Sequence, residues 1–599
     1  MLRSIACAWA IMTPGETKRM DNQTMARMLA ETADLLEISG GDSFRIRSYR
    51  NAADAVESTT VRLSAIAGDA KELQKIPGIG KGMAANLRAL EETGSLPLRD
   101  ELLTKYKATM LDLLRLPGMG PKTVGLLWEA LGVGDIDALE AAIDEGKLDG
   151  LPRMGTKLAQ KLKKGIGEYR RNSGRFLIDD GELAAEKVTE WLKSFPGIEV
   201  VIPAGSLRRG RETVGDIDLL ATGPACEEAV VAAAVEHTAA YPPIVDILAK
   251  GQNKVSFRLR SGLQVDVRLL PRASYGAALQ YFTGSKMHNV AVRQRALKQG
   301  YTLSEYALAR LEDGSVVAGA TEEDIYAALG MDWIPPELRE NNGELEASVA
   351  HRLPRLIELG DIRGDVHMHT DATDGRNTIR EMAEAALARG YEYIAITDHS
   401  KNLAMTNGLD DLRALEHMRR IKAVESEMEG RIRIFAGIEV DILGDGEIDL
   451  SNEVLAQLDV VIGSVHSLFN QPREEMTERV VKAIENPYVH ILGHPTGRLL
   501  LRREAFEMDL ARILTRAAEL GVAMEHNAYP DRLDLCDRDL RHAKELGVKI
   551  VVNTDSHHVS HLEKIRYGIL QLRRAWLTKE DVLNTRGAGE FLAVLRPRP

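Results

Sequence analysis

Two aspartates separated by one residue, Asp216 and Asp218, follow the string Gly205-Ser206-Leu207-Arg208-Arg209-Gly210, with Gly215 just before them. If Asp216-Ile217-Asp218-Leu219-Leu220 is a strand, both carboxylates face one side while Ile217 and Leu219 face the other. Paired carboxylates repel each other unless a cation lies between them, and divalent metal is the usual partner. The glycine turn and the arginines upstream supply backbone N–H groups and guanidinium forks suited to phosphate. Metal beside phosphate points to phosphoryl or nucleotidyl transfer. A lone Asp-x-Asp would equally suit an exposed hairpin with a polar turn, but the complete string is much rarer. The stretch 263–270 alternates cleanly as a strand and offers a third carboxylate, Asp266.

A second constellation occupies the back half. It runs through His367, His369 and Asp374, then Thr397-Asp398-His399, Glu439, His466, His494, and finally Asp555 and His557. Most of these residues close a short apolar run, as in Tyr393-Ile394-Ala395-Ile396-Thr397 and Val460-Val461-Ile462-Gly463. Repeated strand-helix units of this kind predict a (β/α) barrel with the polar residues gathered at one mouth. Imidazole mixed with carboxylate suits Zn²⁺, Mn²⁺ or Fe²⁺ better than Mg²⁺ alone. A lone histidine is usually structural, whereas nine candidate ligands in six strand-end groups are not. His526 also closes a strand but falls outside the nine, and Asp398 is expected behind the ligands rather than among them.

The elements that must position these residues differ along the chain. From Met20 to about Leu98 the apolar spacing is helical, as in Met25, Met28, Leu29, Ala33 and Leu36. Leu73–Gly82 has the form of a helix-hairpin-helix, with Gly78, Gly80 and Lys81 at the turn. A second copy carries Gly118, Gly120 and Lys122, and a weaker third carries Gly155 and Lys157, with Arg153 in place of its first glycine. Such turns offer free N–H groups to a DNA phosphate with little sequence specificity.

Net charge is −12, but it is divided unevenly. Residues 1–300 hold 41 Lys and Arg against 37 Asp and Glu, while 301–599 hold 36 against 52. Between 251 and 300 nine basic residues face Asp266 alone. A DNA-facing front and an acidic, metal-holding back are expected. Three scattered cysteines without a CxxC pair fit a reducing cytoplasm and exclude a thiolate zinc site. No apolar run approaches the roughly 20 residues of a membrane span.

The Gly205–Leu220 string resembles the nucleotidyltransferase signature of family X DNA polymerases. The likeness extends to Tyr281-Phe282-Thr283-Gly284-Ser285-Lys286-Met287-His288-Asn289 and Arg293. It implies that Asp216, Asp218 and Asp266 hold two Mg²⁺ (or Mn²⁺) ions. Gly205, Ser206, Arg209 and Gly215 would cradle the triphosphate, Tyr281 and Phe282 would line the sugar pocket, and Gly284 would also bind the nucleotide. Lys286 would face the nucleotide, with Asn289 and Arg293 touching base and template. The histidine set resembles the PHP (polymerase and histidinol phosphatase) domain. That likeness implies up to three Zn²⁺, Mn²⁺ or Fe²⁺ ions: one on His367, His369, Glu439 and Asp555, a second on Asp374, His399 and His557, and a third reached by Glu439 with His466 and His494. Animal relatives carry a Schiff-base lysine where this chain has Asn86, which cannot be that nucleophile.

The expected fold is multidomain α+β and α/β. A disordered extension (1–19) precedes a helical DNA-binding domain (20–99), fingers with helix-hairpin-helix (100–175), a mixed-sheet nucleotidyltransferase palm (176–270) and a thumb (271–333). A linker (334–362) leads to a distorted (β/α) barrel PHP domain (363–599). The resemblance implies a cytoplasmic, monomeric gap-filling repair polymerase acting on gapped or nicked duplex and dNTPs. It also implies a metal-dependent 3′→5′ exonuclease, with abasic-site endonuclease activity as a further expectation. The competing reading is a PHP nuclease whose polymerase-like front serves mainly as a DNA tether.

Overall fold

The computed structural model describes residues 22–597 apart from 59–62, 77, 117, 152–153, 173 and 404–405. The expectation for residues 1–19, and the side chains of Arg153 and Lys157, lie outside the described residues. Two compact units divide the chain, 1–171 and 172–599.

The first unit is helical. Helix Asn22–Ile38 buries Met25, Leu29, Ala33 and Leu36 against helices Ser43–Ser58 and Pro97–Lys105, the spacing that one helical face requires. The hairpins share one backbone pattern. The N–H of Ile79 donates to the carbonyl of Ile76, that of Met119 to Leu116, and that of Met154 to Leu151. Gly78 and Gly118 sit at φ +92° and +91°, where a side chain would be strained. Gly80 and Gly120 then lead into helices Lys81–Thr93 and Pro121–Leu131, and neither N-terminus has a side-chain cap. Those orphan N–H groups are open to an anion.

The second unit begins with a two-stranded ribbon, β1 (Phe176–Leu177) with β3 (Thr213–Val214). Between them runs β2 (Val200–Pro203), the edge of a five-stranded sheet with β4 (Asp216–Thr222), β5 (Ile244–Lys250), β6 (Lys254–Leu259) and β7 (Gln264–Leu269). Its order is β2-β4-β7-β6-β5, with β4 and β7 parallel and the other pairs antiparallel. Helices Arg272–Thr283 and Lys286–Lys298 follow, then a small antiparallel sheet of β8 (Tyr301–Leu303), β9 (Leu308–Arg310) and β10 (Val316–Ala318). The segment expected as a linker is built into the fold. Ile334 and Leu338 join the core around Tyr326, and Arg339 and Glu344 are fully buried.

Seven parallel strands then follow in sequential order: β11 (Gly364–Asp365), β12 (Tyr393–Ile396), β13 (Arg433–Asp441), β14 (Val460–Ser464), β15 (Ile491–Leu492), β16 (Ala523–Asn527) and β17 (Ile550–Asn553). A parallel bridge from Met368 to Ser556 brings the two ends together, so the barrel nearly closes. Barrel and palm share apolar contacts, because Leu533 and Tyr567 lie in the same buried cluster as Ile217, Val265 and Val267. Among the described residues no helix is long and apolar enough to cross a membrane.

Candidate active sites

Parallel pairing of β4 with β7 sets Asp218 directly beside Asp266, with Asp216 one pleat away beside Gln264. Ile217 and Leu219 point the other way into the core and are fully buried. Burial, then Asp216 and Asp266, push the Asp218 carboxyl up to about 7, and burial and Asp266 raise Asp216 as well. Lys254 Nζ lies 3.5 Å from Asp266 Oδ1, the one cation in contact with the three carboxylates among the described residues. Asp266 Oδ1 is buried and has no hydrogen-bond partner. Three crowded carboxylates with so little positive charge fit divalent cations.

The turn 205–210 lies against this triad. Gly205 has φ +58°, and a Cβ there would collide with Asp218 Oδ2, so only glycine fits. Ser206 Oγ is buried without a hydrogen-bond partner. Gly215, by contrast, has open space around it, with only Arg175 at 3.9 Å. Arg208 is committed to structure: its guanidinium grips Glu322 at 2.7 Å and Thr283 Oγ1 at 2.7 Å. Arg209 donates to Glu340 Oε1 at 3.1 Å and to the carbonyl of Thr283.

At the barrel mouth the candidate ligands converge on the Glu439 carboxylate. Oε1 faces His494 at 3.0 Å and His367 and His466 at 3.4 Å; Oε2 faces His399 at 2.9 Å and His369 at 3.7 Å. Asp555 Oδ1 lies 3.1 Å from His369 and 3.6 Å from His367. Asp374 Oδ2 lies 3.4 Å from His557 and 3.6 Å from His399. Burial would raise Glu439, yet His466, His367 and His399 hold it well below the usual carboxylate range. His367 Nε2, His369 Nδ1 and Glu439 Oε2 are buried without hydrogen-bond partners, as atoms awaiting cations would be. His369 stands within reach of both His367 with Glu439 and Asp374 with His399 and His557.

Models of known families match four stretches of the chain. A helix-hairpin-helix domain covers 20–96, a SAM-like helix-hairpin-helix tandem 110–168, the DNA polymerase beta thumb 278–340, and the PHP domain 365–529. The DNA polymerase/3′-5′ exonuclease PolX of Bacillus subtilis (strain 168) is 37% identical over 580 residues, covering 96% of this chain and all of that protein. The chain belongs to the family X DNA polymerases with a C-terminal PHP domain. A probable phosphatase of Thermoanaerobacter sp. (strain X514) is 30% identical over 232 residues, 37% of this family X chain and 89% of the phosphatase. One of Caldanaerobacter subterraneus subsp. tengcongensis is 32% identical over 232 residues, 37% of the chain and 86% of its own length.

In this family X polymerase arginines cover both rings of the Tyr281-Phe282 pair. Phe282 lies under Arg268 at 4.0 Å, and Tyr281 under Arg293 at 4.8 Å. Asn289 donates to the carbonyl of Tyr281 at 2.6 Å, so in this state it braces the aromatic pair. Gly284 has φ +68° beside the Arg209 guanidinium, and Lys286 is exposed at the start of its helix. Asn86 donates to Tyr49 Oη at 2.9 Å, a hydrogen-bonding role in place of a nucleophile's.

Several supporting residues escaped sequence reasoning. Glu525 bonds His367 Nδ1 at 2.6 Å, and Asp441 bonds His466 Nδ1 at 2.7 Å. Glu525 sits in the same strand-end string as His526 and both are fully buried, so only the opposite faces taken by adjacent strand residues separate them. His526 turns away, bonding the carbonyl of Leu535 at 2.9 Å. Asp398 accepts from Thr370 N and from His417 Nε2, each at 2.8 Å. His288, read only as part of a motif, is buried between Glu344 at 2.7 Å and Tyr326 Oη at 2.9 Å.

Proposed function

We propose that the palm is a DNA polymerase site and the barrel a 3′→5′ exonuclease site, acting on gapped or nicked duplex with dNTPs. The observation that carries this reading is the presence of two constellations in one unit, Asp218 registered beside Asp266 and eight candidate ligands gathered at the barrel mouth with Glu439. When bound, divalent cations supply Lewis acidity at phosphate and at the attacking oxygen: Mg²⁺ or Mn²⁺ in the palm, and up to three Zn²⁺, Mn²⁺ or Fe²⁺ in the barrel. Asp216, Asp218 and Asp266 would hold them in the palm, and Asp218 must shed its proton to do so. The backbone of Gly205 and Gly215, with Ser206 and Arg209, receives the triphosphate. Tyr281, Phe282 and Gly284 shape the sugar pocket, and Lys286, Asn289 and Arg293 lie where base and template would pass.

In the barrel, His367, His369, Glu439 and Asp555 form one ligand group and Asp374, His399 and His557 another. His466 and His494 complete a third with Glu439. The hairpins at Gly78, Gly80 and Lys81, at Gly118, Gly120 and Lys122, and at Gly155 and Lys157 hold the DNA backbone. A monomeric repair enzyme of the cytoplasm, with abasic-site cleavage in the barrel, completes the reading. A mere tether would have no use for the crowded, cation-poor triad.

The test is to assay primer extension and primer degradation on the same preparations. Asp216→Ala abolishes extension and spares degradation, and His399→Ala does the reverse. Loss of both activities in either folded variant contradicts two separate sites.

A further inference from the structure

The barrel does more than sit beside the polymerase palm; it grips the turn that would bind the triphosphate. Helix Ile565–Arg574 presses Leu570 onto Gly210, whose missing Cβ would lie 3.0 Å from the leucine Cβ. Gln571 Nε2 donates to the carbonyl of Gly210 at 2.7 Å, and Arg574 Nη1 donates to the carbonyl of Arg209 at 2.8 Å. Both side chains are buried, Gln571 completely and Arg574 to within 2%. From another loop of the barrel, four residues beyond His494, Arg498 pairs with Glu212 at 2.6 Å. The turn is therefore fixed from two sides by one domain.

Arg574 has a second partner. Its Nη1 also reaches Glu340 Oε1 at 3.0 Å, the same oxygen that accepts from Arg209 Nε at 3.1 Å. Arg574 is anchored from behind by Asp537, 2.7 Å from its Nη2. For Arg209 to turn toward a phosphate it must leave Glu340, a half-buried carboxylate whose remaining cations are Arg574 at 3.0 Å and Arg211 at 3.8 Å. Arg574 is already in place to keep that carboxylate neutralised.

We propose that Gln571 and Arg574, side chains of the PHP barrel, are positioning residues of the polymerase nucleotide site. They hold the carbonyls of Arg209 and Gly210, and Arg574 retains Glu340 when Arg209 engages an incoming triphosphate. The proposal rests on the reading of Arg209 as a phosphate ligand. Neither residue touches the histidine cluster, so degradation and extension separate their role from general loosening.

The experiment uses the full-length protein and measures KM and kcat for dNTP in primer extension, with primer degradation and thermal unfolding on the same preparations. Arg574→Ala raises the dNTP KM about tenfold with a smaller change in kcat, and Gln571→Ala raises it about threefold. Degradation is unchanged in both. Arg574→Lys, which keeps the charge, recovers part of the loss and serves as the test should the alanine variant not fold. Glu340→Gln placed on Arg574→Ala recovers part of the rise in KM, because no carboxylate then needs a partner while the bond to the Arg209 carbonyl stays lost. A raised KM in Arg209→Ala with an unchanged KM in folded Arg574→Ala and Gln571→Ala overturns the clamp alone. An unchanged KM in Arg209→Ala overturns the phosphate reading and the clamp with it. Parallel loss of extension and degradation reduces the contact to structural support and also overturns the proposal.

Discussion

Glu525 accepts the Nδ1–H of His367 at 2.6 Å, and its other oxygen accepts the backbone N–H of His494 at 2.6 Å. Asn553 Nδ2, two residues before Asp555, donates to the first oxygen at 3.0 Å. One fully buried carboxylate thus joins three of the strand ends that carry candidate ligands. Holding Nδ1 protonated presents the Nε2 lone pair of His367 to the cluster, which is how outer carboxylates set the tautomer of a metal-binding histidine.

Glu525→Gln replaces one acceptor with an NH₂ group that must face either His367 or the His494 amide. The expected outcome is loss of part of the bound metal and a drop of about 10–100-fold in primer degradation. Primer extension should persist, since Glu525 lies in the barrel. Elemental analysis of the purified variant beside the parent decides the matter: unchanged metal content removes the orienting role.

A pH dependence follows from the triad. Burial, with Asp216 and Asp266, places the Asp218 carboxyl at about 7 when no cation is present. A cation must displace that proton, so its apparent affinity falls as pH drops below this value and levels off above it. The Mg²⁺ concentration giving half-maximal extension should rise by up to roughly tenfold for each unit of pH on the acid side. Titrating Mg²⁺ one unit below neutrality, at neutrality and one unit above would show it. A half-saturation point that does not move rules out a proton on the triad.

Much of both sites was legible because their residues lie at strand ends, where the twofold alternation of β4 and the repeated apolar runs of the barrel leave few placements. Asp216, Asp218 and Asp266 meet through register alone. Other features were hidden because they depend on partners distant in sequence. Pro335-Pro336 and Asn341-Asn342-Gly343 read as a linker. Yet Arg339 and Glu344 are buried there, Arg339 paired with Glu322 at 2.6 Å and Glu344 hydrogen-bonded to His288 at 2.7 Å. Arg574 closes a helix with no motif, and its contact with Arg209 spans 365 residues. His369 shows the same dependence on distant partners, since its two ring nitrogens face Asp374 and Asp555.

The final expectation concerns acid stability. Glu322 joins three segments of the second unit, receiving Arg339 Nη1 at 2.6 Å, Arg208 Nη2 at 2.7 Å and Trp333 Nε1 at 3.1 Å. Burial alone would raise this carboxyl, but Arg339 and Arg208 outweigh it and hold it far below its ordinary value of 4.5. A folded-state value below the unfolded one means that the proton favours the unfolded chain. The stabilisation is therefore complete above 4.5 and is lost as pH falls from there through the depressed value. Glu322→Gln should cost about 3–5 kcal/mol at neutral pH, because two guanidinium groups lose their counter-charge in a buried site. The variant should also lose less stability than the parent on acidification. Thermal unfolding followed from neutrality into the acid range measures both effects. Equal acid sensitivity in the two proteins would show that another carboxylate governs the acid transition.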